Sequence, residues 1–326
     1  MAGAVSAKYS QDKLLRRPPE RPPARLNARL NGVRVPLRMC LPALGRTAVR
    51  AALAPAVPLR VVAVEAAWTA THLALYPLGL TRAGGAAEEG PMRLETLPPR
   101  QRGLVAGDLE AAGTPILLVH GMIDNRSIFT LLRRGLRRRG FWQLPAMNYS
   151  PFTTDVRDAA VRLAERVEEI VARTGYDRIH IVGHSMGGLI ARYYVQRLGG
   201  HLRVHTLVTL GAPHGGTLAA HLLPHPLGRQ LRPSAELIRE LAEPAPGCTT
   251  RFVAFYSDLD HMVVPARNAA IDHPDLDAHN VLIKGTGHLS FPLHGRVVHE
   301  ITQVLARLAR DGDPITLRVV RPDGAA

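Results

Sequence analysis

From Ile116 to Arg310 short apolar runs alternate with segments of helical period, and this alternation narrows the possible folds more than any other feature of the chain. The runs are Ile116 to Val119, Ala146 to Asn148, Ile179 to Val182, Thr206 to Leu210, Phe252 to Tyr256 and Val281 to Ile283. Helical patterns follow near Ser127 to Arg139, from Asp155 to Arg173, from the end of the third run to about Leu198, and near Arg296 to Arg310. Parallel strands cannot be joined by tight turns and need crossover helices, so the pattern predicts a mostly parallel sheet with helices on both faces. In the clearest helix Val156, Ala160, Leu163, Val167, Ile170 and Val171 share a face, Asp155 stands at the N-cap and Gly175 follows the last turn. Its Arg- and Glu-rich opposite face is expected in solvent. No repeat of solenoid length interrupts the series.

Gly183-His184-Ser185-Met186-Gly187 lies directly after the third run and directly before a helix. A turn that sharp thrusts a serine Oγ out above the sheet, and glycines on either side remove side chains that would strike the neighbouring backbone. The helix start beyond Ser185 also sets positive partial charge where an oxyanion would develop. A serine hydroxyl is a weak nucleophile and needs a base within hydrogen-bond reach, with a carboxylate to orient that base. The fifth run is followed by two candidate acids, Asp258 and Asp260. Gly285-Thr286-Gly287-His288 follows the sixth and carries a histidine in a glycine loop at the carboxyl edge of the sheet, so His288 is the expected base.

Three stretches resemble the α/β-hydrolase superfamily, and within it the small, cap-poor bacterial lipases and esterases. Pro115 to Met122 is similar to that family's first core strand and His-Gly loop, Gly183 to Gly188 to its nucleophile elbow, and Leu210 to Gly216 to the stretch after the next strand. The resemblance covers about Thr114 to Asp311. It implies an α/β-hydrolase fold with about six core strands, since an extra antiparallel pair before Ile116 is missing. It also implies the order serine, acid, histidine: Ser185 as nucleophile, Asp260 in preference to Asp258 because it precedes the Val-Pro run, and His288 as base. The backbone N–H groups of Met122 and Met186 become the oxyanion donors, and the methionine side chains are expected to line an acyl pocket. The implied reaction is hydrolysis of lipid-like carboxylic esters through an acyl-enzyme. A thioesterase, amidase or acyltransferase using the same residues, or a non-catalytic hydrolase-fold binding protein, remains open as an alternative.

The other histidines fit the base's place less well: His294 and His299 fall in the next loop and helix, His261 adjoins the acid, and His120 and His184 flank the site. Asp258, His261, His273 and His279 lack the tight spacing of a metal motif, so neither a metal nor a cofactor is expected. Residues 217–250, with Leu218, Leu222, Leu223, Leu227 and Leu231 broken by Pro224 and Pro226, read either as a cap over the site or as a helix packed on the sheet. Arg133, Arg134, Arg137, Arg138 and Arg139 read as the solvated side of a helix whose inward stripe is Leu131, Leu132 and Leu136.

The chain has 326 residues and a formal net charge of +14, of which +10 lies in residues 1–60. That basic stretch, 1–55, holds few large apolar side chains and reads as a flexible arm rather than a nucleic-acid-binding surface. Residues 56–80 read as an apolar or amphipathic helix in which Glu65 is the one formal charge between Val61 and Leu80. Glu65, Thr69, His72 and Tyr76 share a stripe, as in a helix packed on the body or lying on a membrane surface; a spanning anchor is the competing reading, at a cost of about 2.5–3.5 kcal/mol for the acid. Residues 81–112 read as a linker, 113–312 as the catalytic domain and 313–326 as a tail whose stretch from Ile315 to Val320 is at most an edge strand. Cys40 and Cys248 allow one disulfide at most and fix no compartment, though a cell-envelope or exported location is favoured over the cytoplasm. Expected partners are a small-molecule ester or lipid and, through 56–80, a membrane surface; no nucleic acid is expected.

Overall fold

Six strands form one sheet: β1 (Ile116–Val119), β2 (Ala146–Met147), β3 (Ile179–His184), β4 (Val204–Leu210), β5 (Arg251–Tyr256) and β6 (Asp277–Leu282). Their order is β2-β1-β3-β4-β5-β6 and every pairing is parallel. The computed structural model describes residues 112–306 apart from 123 and 150–152, together with part of a helix between residues 63 and 77.

Alternation along each strand divides the core in two, because successive side chains leave a strand on opposite faces. Leu117, Val119, Ile179, Ile181, Leu207, Phe252 and Ala254 face one way and pack with α2 (Val156–Thr174) and α3 (Met186–Arg197). Ile116, Leu118, Val182, Val208, Leu210, Val253 and Phe255 face the other way, against α1 (Thr130–Arg137) and α6 (Gly295–Leu305). Both faces of the central strands are covered, so these strands read as continuous apolar runs. Helix α2 has the boundaries its signals imply: the Asp155 side chain accepts from Arg157 N, and Gly175 ends the helix in the left-handed region.

The chain runs from β1 outward to β2, then returns to place β3 on the other side of β1. At such a reversal the crossovers leave in opposite directions and a crevice opens beyond the carboxyl ends of the strands. The loop after β1 and the turn after β3 meet there.

Several expectations need correction. Strand β6 begins at Asp277 rather than Val281; it is the sheet edge, half covered, so Asp277, His279 and Asn280 carry no apolar signal. Leu131 is exposed while Leu132 and Leu136 are buried, because Leu131 stands about 100° round the helix from Leu132 and falls outside the inward stripe. Leu227 and Leu231 are core residues, and the short helices α4 (Pro226–Gln230) and α5 (Glu236–Glu240) are tied to the body. Arg157 Nε donates to Glu240 at 3.2 Å, Arg192 donates to the Leu241 carbonyl at 2.9 Å, and Val156 N donates to Gln230 at 3.0 Å. This part of 217–250 is therefore packed against α2 and α3, leaving Leu222 as the exposed leucine of the segment. Arg157, on the α2 face expected in solvent, is an inter-element clamp.

The helix at 63–77 splits the stripe expected of Glu65, Thr69 and Tyr76. Glu65 is buried, whereas Thr69 is exposed and Tyr76 is half-buried. Among the described residues no helix is long and apolar enough to cross a membrane. Cys248 is a free thiol. Cys40, the arm 1–55, the linker 81–112 except for Ala112, and the tail 313–326 lie outside the described residues.

Candidate active site

Ser185 sits between β3 and α3 with φ 52° and ψ −126°, the one non-glycine residue with positive φ among those described. Such a backbone costs an ordinary residue on the order of 1–3 kcal/mol and persists only where its surroundings over-determine it. They do so here. Ser185 N donates to the Leu210 carbonyl of β4 at 2.9 Å, and its own carbonyl accepts from Gly188 N at 3.0 Å. A Cβ at Gly187 would stand 2.2 Å from the Val119 carbonyl oxygen, so α3 starts this close to β1 only because that side chain is absent. Ser185 is half-buried, and Met186 opens α3.

His288 and Asp260 come from the loops after β6 and β5. The His288 Nδ1 lies 2.8 Å from Asp260 Oδ2, and both side chains are almost wholly buried. A carboxylate only accepts, so Nδ1 carries the proton and Nε2 keeps its lone pair. The other Asp260 oxygen accepts from Met262 N at 2.8 Å and Val263 N at 3.0 Å, which fixes the plane of the carboxylate. Burial disfavours the ionised form of Asp260, yet the neighbouring His288 and these two amides hold it below its ordinary pKa. Burial likewise opposes charge on His288, but Asp260, by charge and by hydrogen bond, outweighs it, helped by Asp124 and Glu65, and holds the imidazole above its ordinary value. Asp258 lies elsewhere: its Oδ1 accepts from Gly285 N at 2.8 Å and so supports the start of the His288 loop.

The loop after β1 passes over the serine. A Cβ on Gly121 would come within 3.0 Å of the Ser185 Cβ. Tyr149, just beyond β2, shares its hydroxyl proton between the carbonyls of His120 and Gly121 at 2.8 and 2.7 Å, and its ring stacks on His120 at 4.2 Å. Burial and the charge of Asp124 push the Tyr149 phenol well above its ordinary pKa, so it remains a donor. Met122, expected as an oxyanion donor, is in this loop and half-buried. The Met186 side chain, expected to line an acyl pocket, is buried within a core cluster.

Some residues gave no chemical signal in the sequence. His184 is fully buried; its Nε2 donates to the His288 carbonyl at 3.1 Å, its ring centroid lies 5.0 Å from that of His288, and Asp124 Oδ2 is 3.5 Å from its Nδ1. Glu65 accepts from Leu289 N at 2.9 Å, from Ser290 N at 3.1 Å and from the Ser290 hydroxyl. Only its separation of more than 220 residues from these partners hid it. Among the described residues no three His, Cys, Asp or Glu side chains are grouped to hold a metal ion. His273 is engaged instead with the Glu243 carbonyl.

Residues 114–240 match the family model described as alpha/beta hydrolase fold. The chain is 30% identical over 171 residues to a triacylglycerol lipase of Burkholderia plantarii, which covers 48% of this chain and 42% of that protein. Among solved structures it is similar to the mature Bacillus licheniformis lipase BlEst2, at 17% identity and TM-score 0.51 over 60% of this chain and 93% of that one. It is also similar to Aspergillus fumigatus lipase B, at 16% identity and TM-score 0.55 over 61% and 54%. The chain spans less than half the length of the curated relatives it matches.

Proposed function

We propose that this chain, a member of the α/β-hydrolase superfamily, is a serine hydrolase that cleaves lipid-like carboxylic esters. The observation that carries the reading is the pairing of a buried His288–Asp260 couple, 2.8 Å apart, with a serine held at positive φ on a turn that is tied to the His288 loop through His184. The triacylglycerol lipases among its relatives support the substrate class.

In this mechanism the Ser185 Oγ attacks the acyl carbon while His288 Nε2 takes its proton. Asp260 steadies the imidazolium through Nδ1–H. The carbonyl oxygen becomes an oxyanion facing the backbone N–H groups of Met186 and Met122. As the carbonyl re-forms, the C–O bond to the alcohol breaks and His288 returns the proton to the leaving oxygen. Water then repeats the sequence on the acyl-serine: His288 takes a water proton, the ester to Oγ breaks, and the carboxylic acid departs. Met262, two residues beyond Asp260, is an exposed apolar side chain, which suits an acyl chain more than a charged group.

A fluorophosphonate probe should label the full chain, and Ser185→Ala should abolish labelling together with hydrolysis of p-nitrophenyl butyrate. Labelling that survives the substitution would rule out Ser185 as nucleophile.

A further inference from the structure

The helix at 63–77 lies outside the segment that matches the hydrolase family, yet it touches the site from both sides. At one end the buried Glu65 carboxylate accepts three hydrogen bonds from residues 289 and 290, directly after His288. On the other side of His288, a Cβ at Gly287 would stand 2.2 Å from Glu65 Oε1, so the glycine is what admits the carboxylate so close to the loop. At the far end Asn125 Nδ2 donates to the Tyr76 carbonyl at 2.9 Å, and Asn125 belongs to the loop that also carries Gly121 and Met122.

We infer that Glu65 is a positioning residue for the proposed base: the 63–77 helix straps the His288 loop and the β1 loop together, and its carboxylate sets where His288 stands. This rests on the reading of His288 as base. A buried carboxylate satisfied by two main-chain N–H groups and a hydroxyl leaves the backbone after His288 little freedom, which matters for a group that must meet a serine oxygen within a few tenths of an ångström. Its charge also acts on the imidazole. The groups facing His288 are Asp260 at Nδ1, then Asp124 and Glu65, with the His184 ring beside it. Removing one negative charge makes the imidazolium harder to form, so the pH below which the base is lost moves down.

The test uses the full-length chain, p-nitrophenyl butyrate and three proteins: wild type, Glu65→Gln and Ser290→Ala. Glu65→Gln keeps the shape but sets an N–H against Leu289 N–H and removes the charge. It should lower plateau kcat about 10-fold with KM changed less than about 2-fold, and move the acid limb of kcat/KM down by about half a pH unit. Ser290→Ala removes one donor and leaves the charge, so kcat should fall about 2–3-fold with the acid limb in place. A Glu65→Gln protein with wild-type plateau and wild-type acid limb overturns the inference. If Glu65→Gln does not fold, Ser290→Ala decides, and a folded Ser290→Ala protein with unchanged kcat overturns it. A wild type that neither turns over the ester nor takes a fluorophosphonate removes the hydrolase reading and this inference with it. A wild type that does both, beside variants indistinguishable from it, removes only the inference.

Discussion

His184 Nε2 donates to the main-chain carbonyl of His288 at 3.1 Å, so the residue just before the proposed nucleophile holds the loop that bears the proposed base. One imidazole thus fixes the separation of two groups that lie far apart in sequence. His184→Phe keeps a ring in the cavity but leaves the His288 carbonyl without its donor. Burying an unpaired carbonyl costs about 1–3 kcal/mol, and the loop should relax away from Ser185 instead. Plateau kcat should fall about 10- to 100-fold with a lesser change in KM, measured by steady-state hydrolysis of p-nitrophenyl butyrate. A wild-type kcat would show that the loop holds itself.

The two acids after β5 should separate by mutation. Asp260→Asn replaces the acceptor opposite His288 Nδ1 with a group that can turn an N–H toward it, which favours the wrong tautomer; kcat should fall about 10³- to 10⁴-fold. Asp258→Asn retains an oxygen that can accept from Gly285 N, so activity should stay within about 3-fold of wild type. The reverse order of effects would transfer the acid's role to Asp258.

The pH dependence has a definite sign. In the proposed mechanism the base works as neutral imidazole, and the folded site holds His288 above its ordinary value of 6.5. Protonation therefore sets in at a higher pH than for a free histidine, and kcat/KM should decline as pH falls through a midpoint above 6.5. A midpoint at or below 6.5 in a kcat/KM profile would contradict the dominance of Asp260 over burial.

Tyr149→Phe removes the proton shared by the His120 and Gly121 carbonyls while the ring can still stack on His120. The loop carrying Met122 N should lose definition, and kcat should drop about 10-fold. Fluorophosphonate labelling should slow in parallel, since it too needs an oxyanion donor. Labelling at the wild-type rate would remove this loop from the oxyanion site.

The alternation of apolar runs and amphipathic segments located all six strands, because β1, β3, β4 and β5 are covered on both faces or nearly so and have no choice but to be apolar. The strand at the half-covered edge was located only by its end: its large apolar residues are Val281 and Leu282, so the start at Asp277 was invisible. Ser185 was legible because its turn chemistry is local, carried by glycines within three residues of it. His288 was legible by position, one glycine loop beyond the last strand. The leucines of 217–250 were ambiguous because a cap and a packed helix need the same residues; Leu227 and Leu231 chose the core once Arg157, Arg192 and Gln230 tied their segment down.

By itself the amino-acid order determined a parallel sheet flanked by helices and a serine on a tight turn between strand and helix, since periodicity and turn chemistry act over a few residues. The tertiary structure set Asp260, already preferred to Asp258, against His288, and it alone decided that His184 holds the His288 loop and that Glu65 is buried against residues 289 and 290. The reason is that these interactions close across long stretches of chain and often end on main-chain N–H and C=O groups. Every residue but proline carries both groups and every proline still carries C=O, so no residue type announces them.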